Sequence, residues 1–139
     1  MGQQQLLLIV LGVIIVGIAI VVGINLFNAN AETSTQDSIV SQGTNLGAMA
    51  QQYFKKPVAL GGGGNSFVDG PNGTTFENYF NGLPSNLISS TDATWEVDVA
   101  DTAVVLTAIP TDPAYAANWT VETVVYPTTI SSRVKLTTP

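Results

Sequence analysis

The residues that could do chemistry in this chain are few, and nearly all of them are carboxylates. The sequence contains ten Asp and Glu residues but no His and no Cys. Nucleophilic triads and most transition-metal sites need an imidazole or a thiol, so only acid–base chemistry between carboxylates remains as a route to catalysis. No catalytic constellation of that kind stands out, and we expect neither an enzyme nor a bound cofactor.

Two pairs of acids could instead supply oxygen ligands to calcium. They are Asp98 with Asp101, and Asp92 with Asp112. Calcium takes about six to eight oxygen ligands, and the regular spacing of an EF-hand loop is missing here. We therefore interpret these acids as solvated turn residues and expect no metal site.

Two tripeptides match the acceptor pattern for N-glycosylation. These are Asn72-Gly73-Thr74 and Asn118-Trp119-Thr120. Such short patterns arise often by chance in a chain rich in Asn and Thr. Asn72 and Asn118 are therefore candidate sugar acceptors, with unmodified surface asparagine as the alternative.

The balance of charge restricts the partners. Ten acids against four bases give a net charge of −6, which argues against nucleic acid and anionic membrane surfaces. Only 10% of the residues are charged. A surface with so little charge suits close packing against neighbours better than a freely soluble monomer, but a low-charge exported domain would look similar.

The elements that must position these residues begin with an unusually apolar N-terminus. From Leu6 to Phe27 the only polar residue is Asn25, and no Lys or Arg occurs before Glu32. A helix of that length spans roughly 33 Å, close to the hydrocarbon thickness of a bilayer. A signal peptide would have a basic start and a shorter apolar run before a cleavage site such as Ala29-Asn30-Ala31. We therefore expect the segment to be retained.

The helical pattern continues beyond the apolar run, but with a different character. Apolar and small residues recur at spacings of four and three, which marks one narrow helix face: Ile39, Gly43, Leu46, Ala50 and Tyr53. Lys55 and Lys56 suit the negative end of a helix dipole, and Pro57 is a plausible stop. The sequence predicts one helix over residues 2–54, in which the glycines would permit a bend between Gly17 and Asn25.

After this helix the pattern changes to loops and then to strands. Four consecutive glycines in "LGGGGNS" interrupt regular structure, and residues 67–90 are rich in loops, with a short helix predicted around Phe76, Tyr79 and Phe80. From Trp95 onward apolar residues alternate with polar ones. Strands are predicted around Trp95–Val99 and at Ala103–Ile109, Thr120–Tyr126 and Ile130–Leu136.

Together these elements predict an α+β fold. A single sheet needs a cover for its apolar face, and the small-residue face of the long helix is the available candidate. We expect a long N-terminal α-helix, apolar in its first half and amphipathic in its second, packed on a four-stranded antiparallel β-sheet. The predicted boundaries are 1–27 for the apolar helix and 28–139 for a globular domain, divided into 28–56, 57–90 and 91–139.

This layout resembles the type IV pilin superfamily, which includes the pseudopilins of type II secretion. The aliphatic run begins at Leu6, as in mature pilins, and Met1 is an allowed first residue there. The family's usual glutamate at the fifth position is replaced by Gln5, and its C-terminal disulfide loop is impossible without cysteine. The resemblance also implies a short basic leader that is removed before Met1, which would explain the missing positive charge.

The resemblance implies a structural subunit of an extracellular filament. Its expected partners are identical subunits in a helical homopolymer, the inner membrane before assembly, the pilus assembly machinery and a prepilin peptidase, with a methylated N-terminal amine as a further expectation. The expected assembly residues lie in the apolar helix: Met1, Gln5, Leu6, Gly12, Ile14, Gly17, Ile18 and Gly23. The alternatives are a pseudopilin of a type II secretion system and a lone membrane-anchored surface binding domain.

Overall fold

A computed structural model describes residues 2–137 of the chain. Its helices are α1 (Gly2–Lys55), α2 (Phe76–Asn81), α3 (Ser85–Ile88) and α4 (Pro113–Ala116), and its strands are β1 (Ala93–Val99), β2 (Val104–Pro110), β3 (Trp119–Val125) and β4 (Ile130–Leu136). Two compact units meet within α1, one ending at Ser34 and the other beginning at Thr35.

The first unit contains only the beginning of α1. The helix is continuous through Gly17, Gly23 and Asn25, so none of its turns is unwound there. Every residue from Gly2 to Ala31 is exposed. This unit therefore has no core of its own.

The second unit is built around an antiparallel sheet with the strand order β1-β2-β3-β4. Trp95 of β1 lies opposite Ala108 of β2, and Ala108 lies opposite Val121 of β3. All three are buried, and burial alternates along β2 and β3 as expected for strands with one covered face. The four predicted strands are thus confirmed, each within about two residues of its expected ends.

The second half of α1 provides the cover for that face. The buried helix residues are Ile39, Gly43, Leu46, Gly47, Ala50 and Tyr53, which include every member of the predicted face. At Gly43 a Cβ atom would lie 2.5 Å from Thr123 Oγ1 and 2.7 Å from Trp95 Cη2. Only glycine allows so close an approach, and the α+β fold predicted from the sequence is confirmed.

The connection between α1 and the sheet closes the remaining side of the core. The Gly63 amide donates a hydrogen bond to the Tyr53 carbonyl at 2.8 Å, so the glycine run caps the end of α1. Phe76 and Phe80 of α2 are buried, as the short predicted helix required. Tyr79 is 38% exposed, but its ring lies 5.1 Å from that of Tyr53.

Candidate functional site

The most prominent functional feature is the uncovered aliphatic surface of the first unit. Leu6 is 62% exposed, Ile14 53% and Ile18 60%, and the intervening large apolar residues are similarly open. Monomeric soluble proteins rarely expose contiguous apolar surface on this scale. Exposed apolar surface of this extent is typical of a contact with a membrane or with another protein.

The helix also has the length and composition needed to cross a membrane, the only element among residues 2–137 that does. It contains no acidic residue in its first turn and no charged residue before Glu32. The long apolar N-terminal helix is therefore compatible with membrane anchoring.

Three glycines open notches along this surface. A Cβ atom added at Gly12, Gly17 or Gly23 would meet no other described atom within 4 Å. Tertiary packing within the chain therefore does not explain these glycines, in contrast to Gly43. Small residues of this kind let two apolar helices approach closely in a membrane or a bundle.

The polar start of the helix is made of neutral amides. Gln5 is exposed, as are Gln3 and Gln4 before it, and the aliphatic run follows directly at Leu6. A neutral amide costs less to bury than an unpaired carboxylate, so Gln5 can enter an apolar assembly and still form hydrogen bonds. Met1 lies outside the described residues.

The two candidate glycosylation sites differ in their surroundings. Asn72 is exposed in a tight turn with a positive φ of 58°, and the Thr74 hydroxyl donates to the Pro71 carbonyl at 2.8 Å. Asn118 is also exposed, but its Nδ2 donates to the Ala114 carbonyl at 2.9 Å. Modification stays a prediction at both sites, and the open turn favours Asn72.

The acids considered for calcium take part in other interactions. Asp92 Oδ2 accepts hydrogen bonds from Ser38 Oγ at 2.7 Å and from Gln42 Nε2 at 3.2 Å, which ties the start of β1 to α1. Asp112 caps α4 by accepting from the Ala114 amide at 2.9 Å. Asp98 and Asp101 are exposed, and residues 2–137 contain no group of three or more potential metal ligands.

One charged cluster was missed by the sequence reasoning. Arg133 and Lys135 lie on the outer face of β4, and both face Glu122 of β3. The sequence does show that two of the chain's four basic residues fall within one seven-residue strand. It does not show that this strand lies at an edge of the sheet, which the strand order establishes.

No protein-family model, curated protein or solved structure matches the chain. What the protein does is therefore inferred from its own residues and fold.

Proposed function

We propose that this protein is the structural subunit of an extracellular type IV pilus-like filament that is anchored in a membrane before assembly. The observation behind the proposal is the difference in burial between the two halves of α1. Its first 30 or so residues are apolar and uncovered, whereas its later face is filled by the protein's own sheet. The uncovered part is thus left free for partners.

The physical reason for polymerisation lies in the cost of exposing this helix. Fully burying one Leu or Ile side chain is worth about 1.5–3 kcal/mol relative to leaving it in water. A helix with this many aliphatic residues can therefore leave lipid only by entering another apolar environment. A bundle of identical helices provides one, and the notches at Gly12, Gly17 and Gly23 allow close contact within it.

The direct test is electron microscopy of the purified full chain, combined with mass analysis of its N-terminus. We expect helical filaments whose subunit begins at Met1, with or without a methylated amine. Short assemblies in place of long filaments would instead support a pseudopilin. Monodisperse subunits in detergent would support a lone membrane-anchored domain and would overturn the proposal.

A substitution in the apolar helix tests the role of that helix. Ile14→Lys places an ammonium in the bundle, where no copy has an acid before Glu32 to pair with it. Insertion scales give about 2.5–3.5 kcal/mol for a charge at the middle of a membrane helix, so we expect loss of filaments. Asn45→Lys, at an exposed position later in the same helix, is the matched control and should assemble normally.

A further inference from the structure

The sheet of the second unit ends in two edge strands, β1 and β4. The pattern of its backbone hydrogen bonds shows which groups each edge strand turns away from the sheet. The Tyr126 amide donates to the Thr129 carbonyl, and the Thr137 amide donates to the Asn118 carbonyl. Because bonded pairs alternate along an antiparallel ladder, the odd-numbered residues of β4 bond to β3. The backbone groups of the even-numbered residues, including Val134 and Leu136, therefore point outward.

The same reasoning applies to β1. The Thr111 amide donates to the Asp92 carbonyl and the Ala100 amide to the Ala103 carbonyl, so the even-numbered residues bond to β2. An isolated bridge between Ser89 and Thr94 covers the beginning of this edge. The helices α2 and α3 also contact β1. The backbone groups of Val97 and Val99 lie beyond the bridge and point away from β2.

The outer face of β4 carries an excess of positive charge. Glu122 Oε1 accepts a hydrogen bond from Arg133 Nε at 3.1 Å, and Glu122 Oε2 lies 3.9 Å from Lys135 Nζ. One carboxylate thus faces two cations. Both cationic side chains are more than half exposed, and we call Arg133 and Lys135 the basic edge.

The outer face of β1 has the opposite charge. Glu96 and Asp98 are exposed on the strand, and Asp101 is exposed in the turn that follows. No Lys or Arg occurs in the sequence between Lys56 and Arg133. We call these three residues the acidic edge.

On the core side of the sheet, both edge strands carry apolar side chains. Val134 is 40% exposed and Leu136 is 71% exposed, although both alternate onto the side of the sheet that forms the core. Val97 and Val99 lie on that same side of β1 and are half-buried. Each edge therefore combines an apolar inner row with a charged outer row.

We propose that the acidic edge of one copy packs against the basic edge of the next copy. Two acidic edges repel each other, as do two basic edges, so only the mixed contact is favoured. Such a contact joins different surfaces of the two copies, and it propagates into a ring or an open helix. The proposal deepens the filament function and rests on it, since it names a contact between the subunits outside the apolar bundle.

Charge reversal tests the electrostatic part of the contact. Glu96→Lys with Asp98→Lys reverses the acidic edge, and Arg133→Glu with Lys135→Glu reverses the basic edge. Either reversal should lower filament yield roughly tenfold or more, because like charges then face each other across the contact. Combining all four substitutions should restore assembly, which a merely structural role of these residues would not predict.

A matched control distinguishes the effect of reversing charge at the edge strands from the effect of changing the net charge of the protein. Asp37→Lys with Asp69→Lys makes the same change in net charge as the reversal of the acidic edge, at exposed positions outside the sheet, and it should leave the yield unchanged. Thermal unfolding of each variant shows that its domain is folded. Normal filaments from folded single-edge reversals, or no recovery in a folded four-fold variant, would overturn the proposal.

Cysteine cross-linking gives a second readout that does not depend on assembly yield. The chain has no native cysteine, so Val97→Cys can be combined with Val134→Cys or with Leu136→Cys without background. Within one copy β1 and β4 lie roughly 14 Å apart, too far for a disulfide. Oxidation of the full chain should therefore give a ladder of oligomers from the double variants, and at most traces of dimer from the single variants.

The two readouts distinguish the failure of this contact from failure of the filament proposal. Filaments without a ladder from either pair would overturn the edge contact and leave the filament function intact. A ladder from the concentrated, detergent-solubilised chain that forms no filaments would support the edge contact and overturn the filament function. If a variant with one cysteine forms as much dimer as the variants with two, two like edges are in contact, and the proposal is overturned.

Discussion

At Gly43 α1 lies close to the sheet, and alanine at this position tests that packing. Its added methyl group would meet Thr123 Oγ1 at 2.5 Å and Trp95 Cη2 at 2.7 Å, and both side chains are buried. Overpacking costs about 1–3 kcal/mol, which exceeds the roughly 1 kcal/mol that alanine gains in helix propensity. We expect Gly43→Ala to lower the free energy of unfolding, measured by urea titration with tryptophan fluorescence.

Gly47 provides the matched control for Gly43. A Cβ atom at this position lies 3.1 Å from Val125 Cγ2 and 3.2 Å from two atoms of Ile130, which is only half-buried and can shift. Gly47→Ala should therefore stay within about 1 kcal/mol of the wild type. Equal destabilisation by both variants would contradict this account of the packing.

Asp92 is a second residue whose role can be measured. It accepts hydrogen bonds from Ser38 and Gln42 of α1, and Gln42 Oε1 in turn accepts from Ser90 Oγ at 3.0 Å. Hydrogen bonds to a charged group contribute about 1.5–3 kcal/mol, and the half-buried position of Asp92 favours the lower value. Asp92→Ala should destabilise the domain by about that amount in thermal unfolding. Asp98→Ala, at an exposed site, should change the free energy of unfolding by less than about 0.5 kcal/mol.

At the scale of elements, the beginning of α1 should affect assembly but not folding of the second unit. The space around Gly17 is empty within the described chain, so Gly17→Leu should leave the unfolding of that unit unchanged. In the filament the larger side chain would push neighbouring helices apart. We expect filaments that dissociate at a lower temperature than wild type, as followed by light scattering during heating.

Val16→Leu is the control for this element. It changes the neighbouring, exposed position by one methylene and should assemble as the wild type does. Unchanged filament stability in Gly17→Leu would contradict a role for the glycine notches in close helix contact.

For the molecule as a whole, we expect a chain of residues 28–139 to be a soluble, folded monomer that forms no filaments. It keeps the buried face of α1 and the entire sheet, and domains of about 110 residues usually bury enough apolar surface to fold alone. Trp95 should report cooperative unfolding. Because that side chain is only 2% exposed, Trp95→Ala should cost about 3–5 kcal/mol.

Two results would contradict this division of roles. Filaments from residues 28–139 would show that the apolar helix is not the assembly element. An aggregated or molten product would show that the exposed Val134 and Leu136 of β4 need a neighbouring subunit to cover them before the domain folds.

The sequence by itself determined the elements and the apolar surface proposed for assembly. The spacing of Ile39, Gly43 and Tyr53 marked the buried face of α1, and the alternation from Trp95 onward marked the strands. Such patterns are readable because burial repeats with the period of each element. The uncovered helix was equally readable, since its length and composition alone require an apolar environment.

Only the tertiary structure decided what lies against each face and where the cover ends. Alternation places Val134 and Leu136 on the inner side of β4, yet both are exposed, because periodicity records the direction of a side chain but not the extent of the helix above it. The bond between Ser38 and Asp92 joins residues 54 positions apart, which no local pattern reports. The pairing of Arg133 with Glu122 likewise follows from strand register, which long-range packing sets.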